Sequence, residues 1–419
     1  MLSNPLYPTV PIQNTPHHSL SMHAQTCKEE AREKIASTSS TVETSNVGSV
    51  LERNNDKEAS KVLGDYLLND EERALRLRGN AVRIGSRKSQ LAVIQSEIVA
   101  KTINKIYPHI RTPVIKVSTL GDQIQSKPLY TFGGKALWTK ELEVLLLESV
   151  GDFPQIDMIV HSLKDMPTVL PDSFEMGCIL EREDPRDALI MKAGSPYKCL
   201  ADLPAGSIVG TSSVRRSALL LKNYPHLKFN SVRGNVNSRI RKLDDPESEF
   251  SCLILAAAGL IRLGLRSRIT KYLGPDEMYH AVGQGALGIE IVKGNKRLEK
   301  VCQKISSRST TLQCIAERGL MRTLEGGCSV PVGVWTTFDK KKNILNLKSI
   351  VLSPDGKESV TDEVTARITS SKEALELGNE LGRKLIKKGA KKILDAINFD
   401  KINEMKQAGI DHRNANSNP

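Results

Sequence analysis

Ala81-Val-Arg-Ile-Gly-Ser-Arg-Lys-Ser-Gln-Leu91 is the stretch on which the fold turns. Its apolar start predicts a short strand, Gly-Ser a turn, and Leu91, Ile94 and Ile98 one face of the helix that follows. Ser86, Arg87 and Ser89 then fall at or near a helix N-terminus, where free N–H groups and the helix dipole favour an anion. Plain N-capping by serine is the competing reading.

The same design recurs along the chain. The strand Ser207–Val209 runs into Gly210-Thr-Ser-Ser-Val-Arg-Arg-Ser217, and Phe229–Val232 into Arg233-Gly-Asn-Val-Asn-Ser-Arg239. Leu253–Ala257 ends in Ala258-Gly-Leu-Ile-Arg262, and Ile156–Val160 in His161-Ser-Leu-Lys-Asp-Met-Pro167. Between Val114–Thr119 and a helix carrying Leu142, Leu145, Leu146 and Val150 lies a glycine loop with Lys135. Strands alternating with helices predict parallel sheets, whose carboxyl ends are where such folds place chemistry. A charged crossing at Glu181–Asp187 divides the repeat into two similar α/β halves facing each other across an anion-binding cleft. Gly283-Gln-Gly-Ala-Leu-Gly288 has G-x-G-x-x-G spacing but leads into the strand-like Ile289–Val292, so it predicts a tight crossover and no dinucleotide site.

Beyond residue 306 the pattern changes to a helix around Cys314–Arg322, a meander (Val332–Thr337, Ile344–Leu352, Val360–Thr365) and a long helix over Lys372–Ala396. The expected domains are 80–182 with 286–305, then 183–285, then 306–410. Residues 1–79, rich in Ser, Thr, Asn, Pro and Glu, read as a disordered extension with a short helix near Asp65–Leu77. In Glu325-Gly-Gly-Cys-Ser-Val-Pro-Val-Gly333, two glycines precede Cys328 on a loop and allow close approach to its sulfur. Residue type alone leaves open a reactive thiol or a small buried hydrophobe.

Composition narrows the function. The chain has 419 residues, a net charge of +12 and 4% aromatics. Its arginines sit beside glycine and serine at loop–helix junctions, a distribution suited to small anions more than to a nucleic-acid polymer. Seven cysteines without a C-x-x-C pair speak against a structural zinc site or a disulfide scaffold. The longest apolar run, Leu253–Ile261, is far short of a membrane span. No export signal is read, which leaves a cytoplasmic protein as the expectation.

Taken together, Arg83-Ile-Gly-Ser-Arg-Lys-Ser89, His161-Ser-Leu-Lys-Asp-Met-Pro-Thr168, Gly210-Thr-Ser-Ser-Val-Arg-Arg216, Val232-Arg-Gly-Asn235, Ala281-Val-Gly-Gln-Gly-Ala286 and Leu324-Glu-Gly-Gly-Cys-Ser-Val-Pro331 closely resemble the porphobilinogen deaminases, or hydroxymethylbilane synthases. The resemblance covers roughly residues 80–400. It implies two periplasmic-binding-protein-like α/β domains plus a small α+β C-terminal domain. It also implies a transferase of tetrapyrrole biosynthesis that joins four porphobilinogen molecules to a dipyrromethane cofactor and releases the linear product with water. By the same resemblance, Cys328 carries that cofactor through a thioether and Asp165 is the catalytic carboxylate. Lys135, Ser162, Lys164, Thr211, Ser213, Arg215, Arg216, Arg233 and Arg239 contact the cofactor, and Arg87, Ser89, Arg262 and Gln284 the substrate. Thr131 stands where some members have a lysine. A monomer with no metal, nucleic acid or membrane partner is expected. An anion-binding protein and a hydrolase pairing Cys328 with His161 are the competing classes.

Overall fold

The computed structural model describes residues 81–117, 140–324 and 330–397. The extension, with its expected helix, lies outside them, as do Lys135, Thr131 and Cys328. The first sheet begins with β1 (Ile84–Arg87), α1 (Gln90–Ile106), β2 (Val114–Val117), α2 (Lys140–Leu147), β3 (Met158–Ser162) and β4 (Phe174–Ile179). Gly85 and Ser86 continue β1 and do not turn. A Cβ on Gly85 would collide with Ile156, so glycine is needed for close packing there. The face of α1 that is buried is Gln95, Ser96, Val99, Ala100 and Ile103, one step round from the expected Leu91, Ile94 and Ile98. The expected α2 face holds: Leu142, Leu145 and Leu146 are all buried.

After a crossing come β5 (Asp187–Met191), β6 (Ile208–Gly210), α3 (Val214–Asn223), β7 (Lys228–Asn230), α4 (Val236–Asp244), β8 (Phe250–Ala256), α5 (Ala257–Arg262) and β9 (Lys271–Tyr272). A second crossing leads to β10 (Leu287–Val292) and α6 (Lys296–Ile305). The two sheets run β2-β1-β3-β10-β4 and β7-β6-β8-β5-β9. Both orders place three parallel strands beside one antiparallel strand delivered by a crossing. This is the repeated α/β design that the sequence pattern predicts, in the periplasmic-binding-protein-like form that the family resemblance implies. The G-x-G-x-x-G segment is the second crossing. Gly283 and Gly285 have φ of +70° and +85°, and a Cβ on Gly285 would overlap the Glu183 carbonyl of the first crossing.

The remaining elements are α7 (Arg308–Thr323), an antiparallel sheet β11 (Val332–Asp339), β12 (Ile344–Leu352) and β13 (Ser359–Arg367), and α8 (Ser371–Lys387) with α9 (Ala390–Asp395). The single long helix expected over 372–396 is thus two, broken at Gly389, whose φ is +101°. Helices α7 and α8 pack through glycine: Gly319 faces the backbone of Leu375, and Gly378 that of Ala316. A methyl on Gly378 has nowhere to go because the obstacle is backbone. Gly378→Ala should therefore cost about 1–3 kcal/mol in a thermal or urea melt. Gly274→Ala, where a Cβ meets nothing within 4 Å, should stay within about 0.5 kcal/mol of the parent.

Candidate active site

The candidate residues gather at the carboxyl ends of the parallel strands in both sheets. Arg87 closes β1 and Ser89 precedes α1. Ser89 makes no capping hydrogen bond, so the plain capping reading fails for that hydroxyl. Across from it, Ser213 caps α3 by accepting from the Arg216 amide, and the Thr211 hydroxyl accepts from the Ser213 amide. Arg233 follows β7, Arg239 lies on α4 and Arg262 ends α5. The two edges touch: Asn237 donates to Gln90 at 2.8 Å, and Gly259 of α5 lies beside Leu91. The first turn of α1 thus meets the other half, while Ile98 further along packs on the core of its own half.

Two of these arginines are held by backbone carbonyls. Arg239 donates to the Gly234 carbonyl at 2.7 Å and Arg262 to the Gly285 carbonyl at 2.7 Å. Neither reaches a carboxylate among the described residues. Burial, then the nearby Arg216 and Arg233, push Arg239 down to about 10; burial does the same to Arg262. Glu183 partly opposes the effect at Arg262, and a guanidinium of this kind matches a carboxylate in bidentate fashion.

Asp165 ends a 3-10 turn, Leu163–Asp165, directly after β3. Its neighbours Leu163 and Met166 are 1% exposed and pack with Ile179, Ala286 and Cys314, while Asp165 itself is exposed. Lys164 is half-buried on the same turn. The Ser162 hydroxyl is engaged with the Gln95 side chain at 2.9 Å, which explains the polar residue on the buried face of α1. His161 lies inside the first sheet, its Nε2 at 2.7 Å from the buried Glu290, so it is committed to that pair.

Not all expected anion-binding arginines face the cleft. Arg215 and Arg216 are buried and share Asp187, at 2.8 and 2.7 Å. Arg215 also donates to the Tyr279 carbonyl and Arg216 to that of Ile254. Burial alone would raise the Asp187 carboxyl, but the two guanidiniums outweigh it and hold it well below the usual range. Gln284 is fully buried and donates to Pro185 O and Asp187 Oδ1, which makes it a tie between the two crossings and not a cleft surface.

The sequence reading missed the junction of the crossings with α7. Glu317 is 0% exposed and accepts from Arg182 at 2.6 Å, from the Gly283 amide at 2.7 Å and from Thr336 of β11 at 2.8 Å. Burial pushes its carboxyl up, yet Arg182 and His280 more than reverse this. The missed signal was position: Thr310, Cys314, Glu317, Met321 and Leu324 form one stripe at helical spacing, so Glu317 had to be buried. His280 completes the junction, with its backbone bridging Val334 and its ring 5.8 Å from Trp335.

Other groups complete the chemical inventory. Of the described cysteines, Cys178, Cys252, Cys302 and Cys314 are buried and unoxidised, and burial raises the Cys252 and Cys314 thiols to about 12. They behave as small hydrophobes. Cys328 belongs to the chain joining α7 to β11, outside the described residues. No cluster able to hold a metal, and no helix long and apolar enough to cross a membrane, occurs among the described residues.

Two family models match: "Porphobilinogen deaminase, dipyromethane cofactor binding domain" over residues 82–300 and "Porphobilinogen deaminase, C-terminal domain" over 311–387. The chain belongs to the porphobilinogen deaminase family. It is 61% identical to the porphobilinogen deaminase of Candida albicans over 76% of this chain and 94% of that protein. Identity to the Saccharomyces cerevisiae porphobilinogen deaminase is 56%, over 77% of this chain and 98% of the relative. Among solved structures, the methionine-binding protein MetQ aligns over 55% of this chain and 92% of its own, at 14% identity and a TM-score of 0.35.

The buried junction makes stability pH-dependent. Burial, with Arg182 and Arg215 adding to it, pushes His280 down to about 4, although Glu317 opposes them. Below about pH 6.5 the unfolded chain takes up a proton that the folded chain refuses until near pH 4. Stability present at pH 7 is therefore lost as pH falls through this window, by about 3 kcal/mol. Urea midpoints at pH 7 and pH 4 should show this drop, and His280→Gln should shrink it.

Proposed function

We propose that this chain is a transferase that condenses four porphobilinogen molecules in sequence, with loss of ammonia at each, and releases hydroxymethylbilane by hydrolysis. The observation that carries this reading is an exposed Asp165 on the turn after β3 in one half, together with the half-buried Arg239 of α4 and Arg262 of α5 in the other. When bound through Cys328, the dipyrromethane supplies the carbon to which the first substrate ring is joined.

The chain's own residues do the rest. Arg239, Arg262, Arg87 and Arg233 bind the acetate and propionate of each ring, because a planar guanidinium matches a carboxylate and stays charged. The hydroxyls of Ser89 and Thr211 orient those acids. Loss of ammonia from porphobilinogen leaves positive charge shared with the pyrrole nitrogen. The Asp165 carboxylate stabilises that charge and moves the pyrrole proton, an interaction stronger in the transition state than in the ground state. Arg215 and Arg216 contribute through Asp187, by holding β5 and α3 together beneath the cleft.

An anion-binding protein needs neither a bound thioether nor Asp165, so mass and rate separate the readings. Wild-type protein should carry a covalent dipyrromethane in its intact mass, and Cys328→Ala should be folded, bare and inactive. In cofactor-loaded protein, Asp165→Asn should slow single turnover on the order of a hundredfold or more, with Asp165→Glu intermediate. A wild-type rate for Asp165→Asn would remove the carboxylate from the mechanism.

A further inference from the structure

Arg318 is a charged residue buried in the middle of α7, and its guanidinium leaves its own domain. Nη1 donates to the carbonyl of Met166 at 3.2 Å, and Nη2 to that of Pro167 at 2.5 Å. These are the first two carbonyls after Asp165. The side chain is 5% exposed, so both bonds are made out of water, where a charged donor to a carbonyl is strong. One turn back on the same helix, Cys314 packs against Leu163 and Met166, the apolar anchors on either side of Asp165. Glu317, next to Arg318, fixes the helix to both crossings through Arg182 and the Gly283 amide. Helix α7 then ends at Thr323, five residues before Cys328.

From this geometry we infer that Arg318 is a positioning residue for the reaction, setting the Asp165 turn at a fixed place relative to the helix that delivers Cys328. The Met166 carbonyl is buried and that of Pro167 partly so, and Arg318 donates to both. The fork of an arginine holds two such oxygens at once, and a lysine holds one. The inference rests on the proposed role of Asp165, through which Arg318 acts.

The test is a double-mutant cycle in full-length, cofactor-loaded protein. Arg318→Ala would open a cavity beside Cys314, so the variant is Arg318→Lys, which keeps charge and stem. Alone it should lower the single-turnover rate about tenfold, since misplacing a reacting group by about 1 Å can cost up to about a hundredfold. In an Asp165→Asn background the same substitution should change the rate by less than about threefold, because the group being positioned is gone. Intact mass should show the adduct retained, and amide exchange over residues 163–168 should rise. Equal losses in both backgrounds would mark Arg318 as scaffold only and overturn the inference, as would a Lys variant that loses its adduct or its melting transition. A slow Asp165→Asn with additive losses sinks this inference alone. A fast Asp165→Asn sinks the catalytic reading, and this one with it.

Discussion

The carboxylate of Glu317 is the constraint on which the arrangement depends. It is sealed from water, yet it holds Arg182 from the first crossing, the Gly283 amide from the second and Thr336 from the third sheet. A charge without water must have such partners, and removing one side of a buried pair strands the other at a cost of about 3–5 kcal/mol. The crossings are also tied directly, Arg182 to the Gln284 carbonyl and the Glu183 amide to that of Gly285. Four chain segments are therefore fixed at one point, and the cleft between the two larger sheets is built outward from it.

Much of this was legible because period and residue type agreed. Strands ending in serine and arginine placed the cleft edges, and the turn glycines marked the crossings. What misled was charge. Glu317 and Arg318 are charged residues of their helix, yet both are interior, held by partners 34 and 152 residues away in sequence. Leu91 reads as core but lies against Gly259 of the opposite half, while Gln95 takes the interior place because Ser162 satisfies it. Tertiary partners of this kind leave no local mark.

The arginines divide accordingly. Arg182, Arg215, Arg216 and Arg318 are internal struts with carboxylate or carbonyl partners inside the fold. Arg239 and Arg262 instead donate to loop carbonyls, and burial lowers the pKa of both. A net charge of +12 thus says less about ligands than does the address of each guanidinium.

The insertion of the second sheet within the sequence of the first sets an order of assembly. All five strands of the second sheet lie between Asp187 and Tyr272, so it can close as soon as that stretch has left the ribosome. The first sheet was made earlier but cannot finish. β4 pairs only with β10, and β3 keeps an open edge until Leu287–Val292 arrives. For roughly a hundred residues of synthesis, β4 waits without its strand partner and β3, already beside β1, with one edge open, the kind of surface on which nascent chains aggregate or recruit chaperones. The half that starts first is completed last.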